Sequence, residues 1–356
     1  MQRWSVLAGL GLMLVGFTSR SAGAAEPAAR PASAARRVDD GSSPSAIELQ
    51  QSQPDARQPV ITAVAIQPGG KIIATAGDDH LVRVWTTAGA RLLRVLRGHR
   101  DWVRSLAFSP DGASLASAGD DRRVILWNIE TGKQIADMPR SDSAICSIAY
   151  CPDGSLIAAV GFDASIRLLS TATGQQINRI ATACEDLRCV SFAPDGHRLA
   201  AGGRPGIVAV CDLRENQVAR EIRTSLKRIR GVVYSPDGNH ILTAGEGHLI
   251  EIWNASTGEP SGRFSSKPGR IYALTFCEAG QIATGGSDNT VRIWDLQRRI
   301  EVRQLRGHTG SVAALAYEPA TDVLISGGFD TAVRVWRLDS SDREDTAEKV
   351  KLKTSR

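Results

Sequence analysis

Only one long apolar run occurs in this sequence, and it lies at the N-terminus. Such a chain cannot cross a membrane repeatedly. Long uninterrupted helical stretches are missing too, because 34 Gly and 15 Pro break the chain too often for a coiled coil. Excess charge is scarce: 43 Lys and Arg against 38 Asp and Glu leave +5, too little to make nucleic acid the default partner. Histidine and cysteine number six each. No H-x-x-x-H or C-x-x-C spacing exists, so neither a zinc site nor a haem attachment is encoded, and no metal is expected. Phosphate-loop and nucleophile-elbow sequences are absent as well. What the chain does have is 42% hydrophobic residues, enough to bury a substantial core and to exclude wholesale disorder.

The apolar run, Val6 to Phe17, follows the basic Arg3 and leads to Ala22-Gly23-Ala24. A short basic start, an apolar middle and a small-x-small exit predict a secretory signal peptide over residues 1–24. As a helix the run would reach only about 18 Å, against a hydrocarbon core of roughly 30 Å. Export after cleavage is therefore expected, with an N-terminal membrane anchor as the alternative. Residues 25–45 are Ala, Pro, Ser and charge without apolar periodicity and read as a flexible linker.

The dominant signal is a repeat. From Trp85, steps of 42 residues reach Trp127, Leu169, Cys211 and Trp253; 41 more reach Trp294, and 42 more reach Trp336. Each of the seven copies has an aromatic or Ile near its start: Ile66, Phe108, Tyr150, Phe192, Tyr234, Phe276 and Tyr317. In four copies a Pro-Asp-Gly turn follows, at Pro110, Pro152, Pro194 and Pro236. Pro presets φ, Asp caps its own backbone and Gly accepts positive φ. Second, third and fourth apolar runs of about six residues complete each copy. Short Val/Ile/Leu runs joined by turn chemistry are antiparallel strands, and four per period of about 42 make one blade.

These residues carry a family resemblance. Over roughly residues 58–338 the chain resembles the WD-repeat proteins. The match rests on Gly98-His99, Ser117, Asp121 and Trp127 in copy two, and on Gly307-His308, Ser326, Asp330 and Trp336 in copy seven. The resemblance implies an all-β fold, a seven-bladed WD-repeat β-propeller of four-stranded antiparallel blades. Its repeats fall at about 58–96, 97–138, 139–180, 181–222, 223–264, 265–305 and 306–338. It also implies that the carboxylate, imidazole, hydroxyl and indole bond in series within a blade, a structural role that recurs by repeat and not a hydrolase triad. Copies three to five depart from the pattern: Leu169 and Cys211 replace Trp, Ser141 replaces His, and Pro205 and Gly247 stand at the Asp position. Those blades are expected to rely on apolar packing alone. Trp336 ends a third strand, so the last blade needs an outer strand from residues 46–52, with Lys349–Lys353 in the charged tail (339–356) as the rival.

With no convergent acid, base, metal or cofactor set, no catalytic residue and no cofactor are expected, and function falls to surfaces. The resemblance implies that the loop face around the central opening grips partner proteins. Trp102, Arg104, Arg188, Arg204, Arg228, Arg230, Arg270 and Tyr272 map to that face, offset by Asp186 and Glu246. Arginine mixed with aromatics has the composition of a binding hot spot. A monomeric scaffold for an acidic protein or peptide is thus expected. A solvated basic rim, or arginines pairing with those two acids, is the plainer reading. Other classes are an enzyme or small-ligand propeller and, least favoured, a single-strand nucleic-acid binder. Among the cysteines, Cys184 and Cys189 are the pair whose spacing merits a test for a disulfide.

Overall fold

A computed structural model describes residues 59–338 except 267, 268 and 279, together with the strand backbones of Arg36–Val38 and Ala46–Glu48. The expected signal peptide, most of the linker and the C-terminal tail, including the rival strand at 349–353, lie outside the described residues. Among the described residues no helix is long and apolar enough to cross a membrane.

Blade two shows how sequence becomes structure. Its strands are Val103–Phe108, Ser114–Gly119, Val124–Asn128 and Gln134–Asp137, antiparallel in that order. The inner strand is buried along its whole length while the outer one is largely exposed. This gradient follows from composition, VRSLAF inside against QIAD outside. The Pro-Asp-Gly turn closes as its chemistry demands: Gly112 N–H donates to the Ser109 carbonyl at 2.8 Å, Ala113 N–H donates to the Asp111 carboxylate at 2.9 Å, and Gly112 takes φ +72°. At the end of the second strand Gly119 is required for another reason. A Cβ there would sit 1.9 Å from the Trp102 carbonyl oxygen, and any side chain would push the two strands apart.

The same four-stranded sheet recurs in the first six blades, and the seventh sheet has three strands, Val312–Glu318, Val323–Gly328 and Val333–Arg337. The inner strands pack side by side in chain order, and the inner strand of blade seven packs against Ile61–Ile66 of blade one, so the ring closes. The protein is an all-β, seven-bladed propeller. Its core is a set of apolar seams between adjacent blades; one joins Leu96, Val103, Phe108 and Trp127 across blades one and two. Burying side chains of this size stabilises by about 1.5–3 kcal/mol each.

Ala46–Glu48 runs alongside Val333–Arg337, the open side of blade seven, but its hydrogen-bonded partner is Arg36–Val38, which falls within the stretch read as linker. Among the described residues hydrogen-bonded pairing in blade seven ends at Val333–Arg337, and residues 49–52 of the expected closing strand lie outside them.

Candidate functional site

Two sets of residues were singled out by the sequence, and the structure separates them. The repeat-signature residues form closed networks inside blades. In blade two His99 Nδ1 lies 2.9 Å from Asp121 Oδ2, His99 Nε2 lies 2.7 Å from Ser117 Oγ, and Trp127 Nε1 donates to Ser117 Oγ at 2.8 Å. The carboxylate can only accept, so Nδ1 carries a proton and donates to it. Blade seven repeats this with His308, Asp330, Ser326 and Trp336 at 2.9, 2.7 and 2.8 Å. Burial pushes the Asp121 and Asp330 carboxyls up, but the histidine bonds and charges and the backbone amides outweigh it, leaving both below the usual carboxylate range. These groups are held for stability. Shorter versions survive elsewhere. Trp85 donates to Thr75 at 3.0 Å, Trp253 to Thr243 at 3.1 Å and Trp294 to Thr284 at 2.8 Å. Blade five therefore does not rely on apolar packing alone. It keeps the indole bond, and its Ser225 hydroxyl donates to Glu251 at 2.6 Å.

The arginines belong to the loop face at the N-terminal ends of the inner strands. Every inner strand carries one unpaired extra residue against its neighbour, and these bulges fall at Thr62, Arg104, Cys146, Arg188, Arg230, Tyr272 and Ala313. A β-bulge re-aims the side chain it carries, so the bulge gathers this column of the repeat at the mouth of the ring. Cys146 feels the charges of both Arg104 and Arg188, and Arg230 those of Arg188 and Arg228, which makes the set a continuous arc.

Three of these arginines are not free to grip a partner. Arg104, Arg188 and Arg230 are 3%, 8% and 5% exposed. Arg104 donates twice to Asp120, from Nε at 2.9 Å and Nη2 at 2.5 Å, and its guanidinium carbon lies 4.8 Å from the Trp102 ring centroid. Arg188 donates from Nη2 to Asp186 at 2.8 Å and stacks 4.2 Å from the Phe162 ring. Arg228 and Arg230 share Glu246 Oε1, at 3.1 and 3.2 Å, with Tyr272 5.9 Å from Arg230. Burial lowers the Arg230 pKa; burial also pushes Glu246 up, but the Arg230 bond and the charges of Arg228, Arg230 and Arg270 hold its carboxyl below the ordinary range. Removing one partner from such a buried pair costs about 3–5 kcal/mol; these arginines are part of the fold.

What remains is uneven. Arg204 stands where Asp120 and Glu246 stand in their blades, sixteen residues after the bulge, so blade four has an arginine in place of the clamping acid and Arg188 turns to Asp186 instead. Arg204 and Arg270 are exposed, and among the described residues neither makes an ion pair. Sequence reasoning missed the Arg104–Asp120 clamp and the Phe162 stack; the sixteen-residue offset was the available signal. All six cysteines are free and buried. Cys184 and Cys189 are not bridged; their thiols donate to the carbonyls of Arg204 at 3.0 Å and Gly202 at 3.4 Å. Among the described residues no group of three or more His, Cys, Asp and Glu is placed to hold a metal ion.

Comparison with known proteins agrees with the geometry. The family model described as WD domain, G-beta repeat matches residues 48–86, 90–128, 218–254, 258–295 and 299–337, just over half of the chain. The model described as anaphase-promoting complex subunit 4 WD40 domain matches residues 148–228. The chain is similar to mitochondrial division protein 1 of Mycosarcoma maydis, with 44% identity over 69 residues, covering 19% of this chain and 8% of that protein. It is similar to the ribosome biogenesis protein YTM1 of Chaetomium globosum, with 32% identity over 102 residues, covering 25% of this chain and 20% of the relative. It also resembles the anaphase-promoting complex subunit cdc20 of Dictyostelium discoideum, with 34% identity over 90 residues, covering 24% and 18%. The matches take in less than a quarter of each of these relatives. With five repeat matches laid over seven blades and the His–Asp–Ser–Trp networks in place, the chain belongs to the WD40, G-beta repeat family.

Proposed function

We propose that the protein is a non-enzymatic interaction scaffold, exported by its N-terminal segment, that binds an acidic segment of a partner protein on the arginine-bearing loop face. The observation that supports this reading is the charge imbalance at the mouth. Six arginines (Arg104, Arg188, Arg204, Arg228, Arg230 and Arg270) meet four acids, of which Asp120, Asp186 and Glu246 clamp arginines and Asp78 accepts the Val60 amide. The surplus lies on the exposed Arg204 and Arg270, beside a half-buried Tyr272 and Trp102. Exposed guanidiniums accept carboxylates bidentately, and neighbouring aromatics supply rigid contact area. The clamped arginines set the shape, and the unclamped ones supply the attraction. One similar protein is named as a subunit of the anaphase-promoting complex, which accords with a scaffold role for this repeat family.

The test is capture of partners from the exported fraction by the chain beginning at Ala25, compared with its Arg204→Glu, Arg270→Glu variant. Both sites are exposed, so the variant should fold as the parent does. Reversing Arg230 would instead set a second carboxylate against Glu246 and endanger the blade. We expect capture to weaken at least tenfold and its salt dependence to flatten. Undiminished capture would remove the acidic-partner reading, and a full-length chain recovered only from the cytosol would remove export.

A further inference from the structure

The opposite opening of the ring has a different chemistry. At the C-terminal ends of the inner strands stand Phe108, Tyr150, Phe192, Tyr234, Phe276 and Tyr317; two residues further on come Pro110, Pro152, Pro194, Pro236 and Pro319, with Pro68 from blade one. Together they line one cavity of about 700 Å³. Every blade contributes, so the cavity lies on the axis. An inner strand of six residues places it about 20 Å from the arginine arc. Its volume falls within the range of small-ligand sites, roughly 300–1,000 Å³.

Two of the three tyrosine hydroxyls are occupied elsewhere: Tyr150 Oη lies 3.0 Å from Ser114 Oγ, and Tyr317 Oη donates to Asp322 at 2.7 Å, while Tyr234 Oη is buried with no hydrogen-bond partner among the described residues. The wall left to the cavity is therefore largely apolar. Among the described residues its titratable lining other than tyrosine and a buried thiol is Asp237, Glu278 and His240, with no Lys or Arg. One residue beyond the turn prolines is a crown of carboxylates, Asp111, Asp153, Asp195 and Asp237. They accept the backbone amides of Ala113, Ser155, His197 and Asn239 at 2.9, 2.9, 2.9 and 3.0 Å. The Ser109 hydroxyl and the Ala113 amide hold Asp111 below the usual range. In the other three, burial pushes up but the turn amides and neighbouring side chains outweigh it. All four are thus ionised at neutral pH; Arg198 answers Asp195 at 3.0 Å.

We propose that this axial cavity is a binding site for a compact hydrophobic monocation, an alkyl- or aryl-substituted ammonium or phosphonium. Its body fills the ring of aromatics and prolines, and its charge faces the aspartate crown. A strongly hydrated cation would lose too much hydration against an apolar wall, and an anion would meet the lining carboxylates Asp237 and Glu278, with the rest of the crown just beyond, and no Lys or Arg in the described lining. A diffuse cation on an apolar body satisfies both, and aromatic rings attract it further.

Tetraphenylphosphonium and tetraphenylborate share size and shape and differ in sign, so titration calorimetry of the full chain with each isolates the charge. The phosphonium should bind at one site per chain, at least tenfold tighter than the borate. Combined Asp111→Asn, Asp153→Asn, Asp195→Asn and Asp237→Asn substitutions keep the turn acceptors but remove the charge; they should cut that preference at least tenfold. Pro152→Trp with Pro194→Trp should abolish phosphonium binding by filling the space, whereas Arg204→Glu with Arg270→Glu at the other opening should leave it unchanged. Borate bound as tightly as phosphonium, no saturable phosphonium binding, or binding that survives the tryptophans would overturn the proposal.

Discussion

Ser117 Oγ is the joint of the blade-two network, and replacing Ser117 with alanine gives the sharpest test of what that network does. The hydroxyl is fully buried, accepts the Trp127 indole N–H at 2.8 Å and bonds His99 Nε2 at 2.7 Å. Deleting it leaves two buried partners unsatisfied, each costing about 1–3 kcal/mol, so the expected destabilisation is about 2–6 kcal/mol. Thr243→Val in blade five is the internal control. It keeps the shape and orphans only the Trp253 indole, so its cost should be about half, roughly 1–3 kcal/mol. Urea denaturation of both variants followed by tryptophan fluorescence measures the two values against the parent. A double-mutant cycle with Trp127→Phe should show strong non-additivity, because the second change removes a donor already left without an acceptor. A loss below about 1 kcal/mol for Ser117→Ala, or equal losses for the two variants, would refute the claim that the series-bonded network stiffens the blade.

Two further predictions rest on protonation. The folded carboxyls of Asp121 and Asp330 titrate below their unfolded value of about 3.9, so their contribution is complete above that pH and is lost as pH falls through the lower folded values. Asp121→Asn with Asp330→Asn should be less stable than the parent at pH 7, and its stability should fall less steeply between about pH 5 and pH 2. Parallel acid limbs in a pH series of melting curves would contradict the assignment. The cysteines provide the other. Burial pushes the thiols of Cys146, Cys151 and Cys211 up to about 12 and that of Cys184 to about 11. Iodoacetamide at pH 8 should leave the native chain unlabelled and add six groups after unfolding without reductant, read by mass. Fast native labelling, or fewer than six additions, would show an exposed or bridged thiol.

How much of this was legible in the sequence differs by feature. The blade count follows from markers 42 residues apart, because each period is one supersecondary unit that must bury its face on the next. The signature networks were legible because their members sit at fixed offsets within one blade. Blade five was misjudged for the converse reason: the missing histidine and aspartate hid that Thr243 and Trp253, on adjacent strands of one sheet, still bond. Arg104, Arg188 and Arg230 occupy one column of the repeat, so their gathering at one mouth was readable. Their burial was not. It depends on the bulge that turns each side chain and on a carboxylate that comes from sixteen residues later in blades two and five but two residues earlier in blade four. The aromatic and proline positions read one repeat at a time as core and turn; only closing the ring brings them to one cavity.

The two openings follow from one constraint. Inner strands enter the ring in the same sense, so each repeat sends its bulge to one face and the turn after its inner strand to the other. Along the chain the bulge column reads Thr, Arg, Cys, Arg, Arg, Tyr, Ala, while the column at the other end reads Ile, Phe, Tyr, Phe, Tyr, Phe, Tyr. A varied column around a closed ring makes an asymmetric surface, with its arginines in blades two, four and five, and this suits a peptide that has a direction. A uniform column makes a near-symmetric apolar ring, which offers a directional peptide no preferred orientation and suits a compact, rounded ligand. The difference in chemistry between the faces is thus the difference between a repeat position free to diverge and one held by packing between blades.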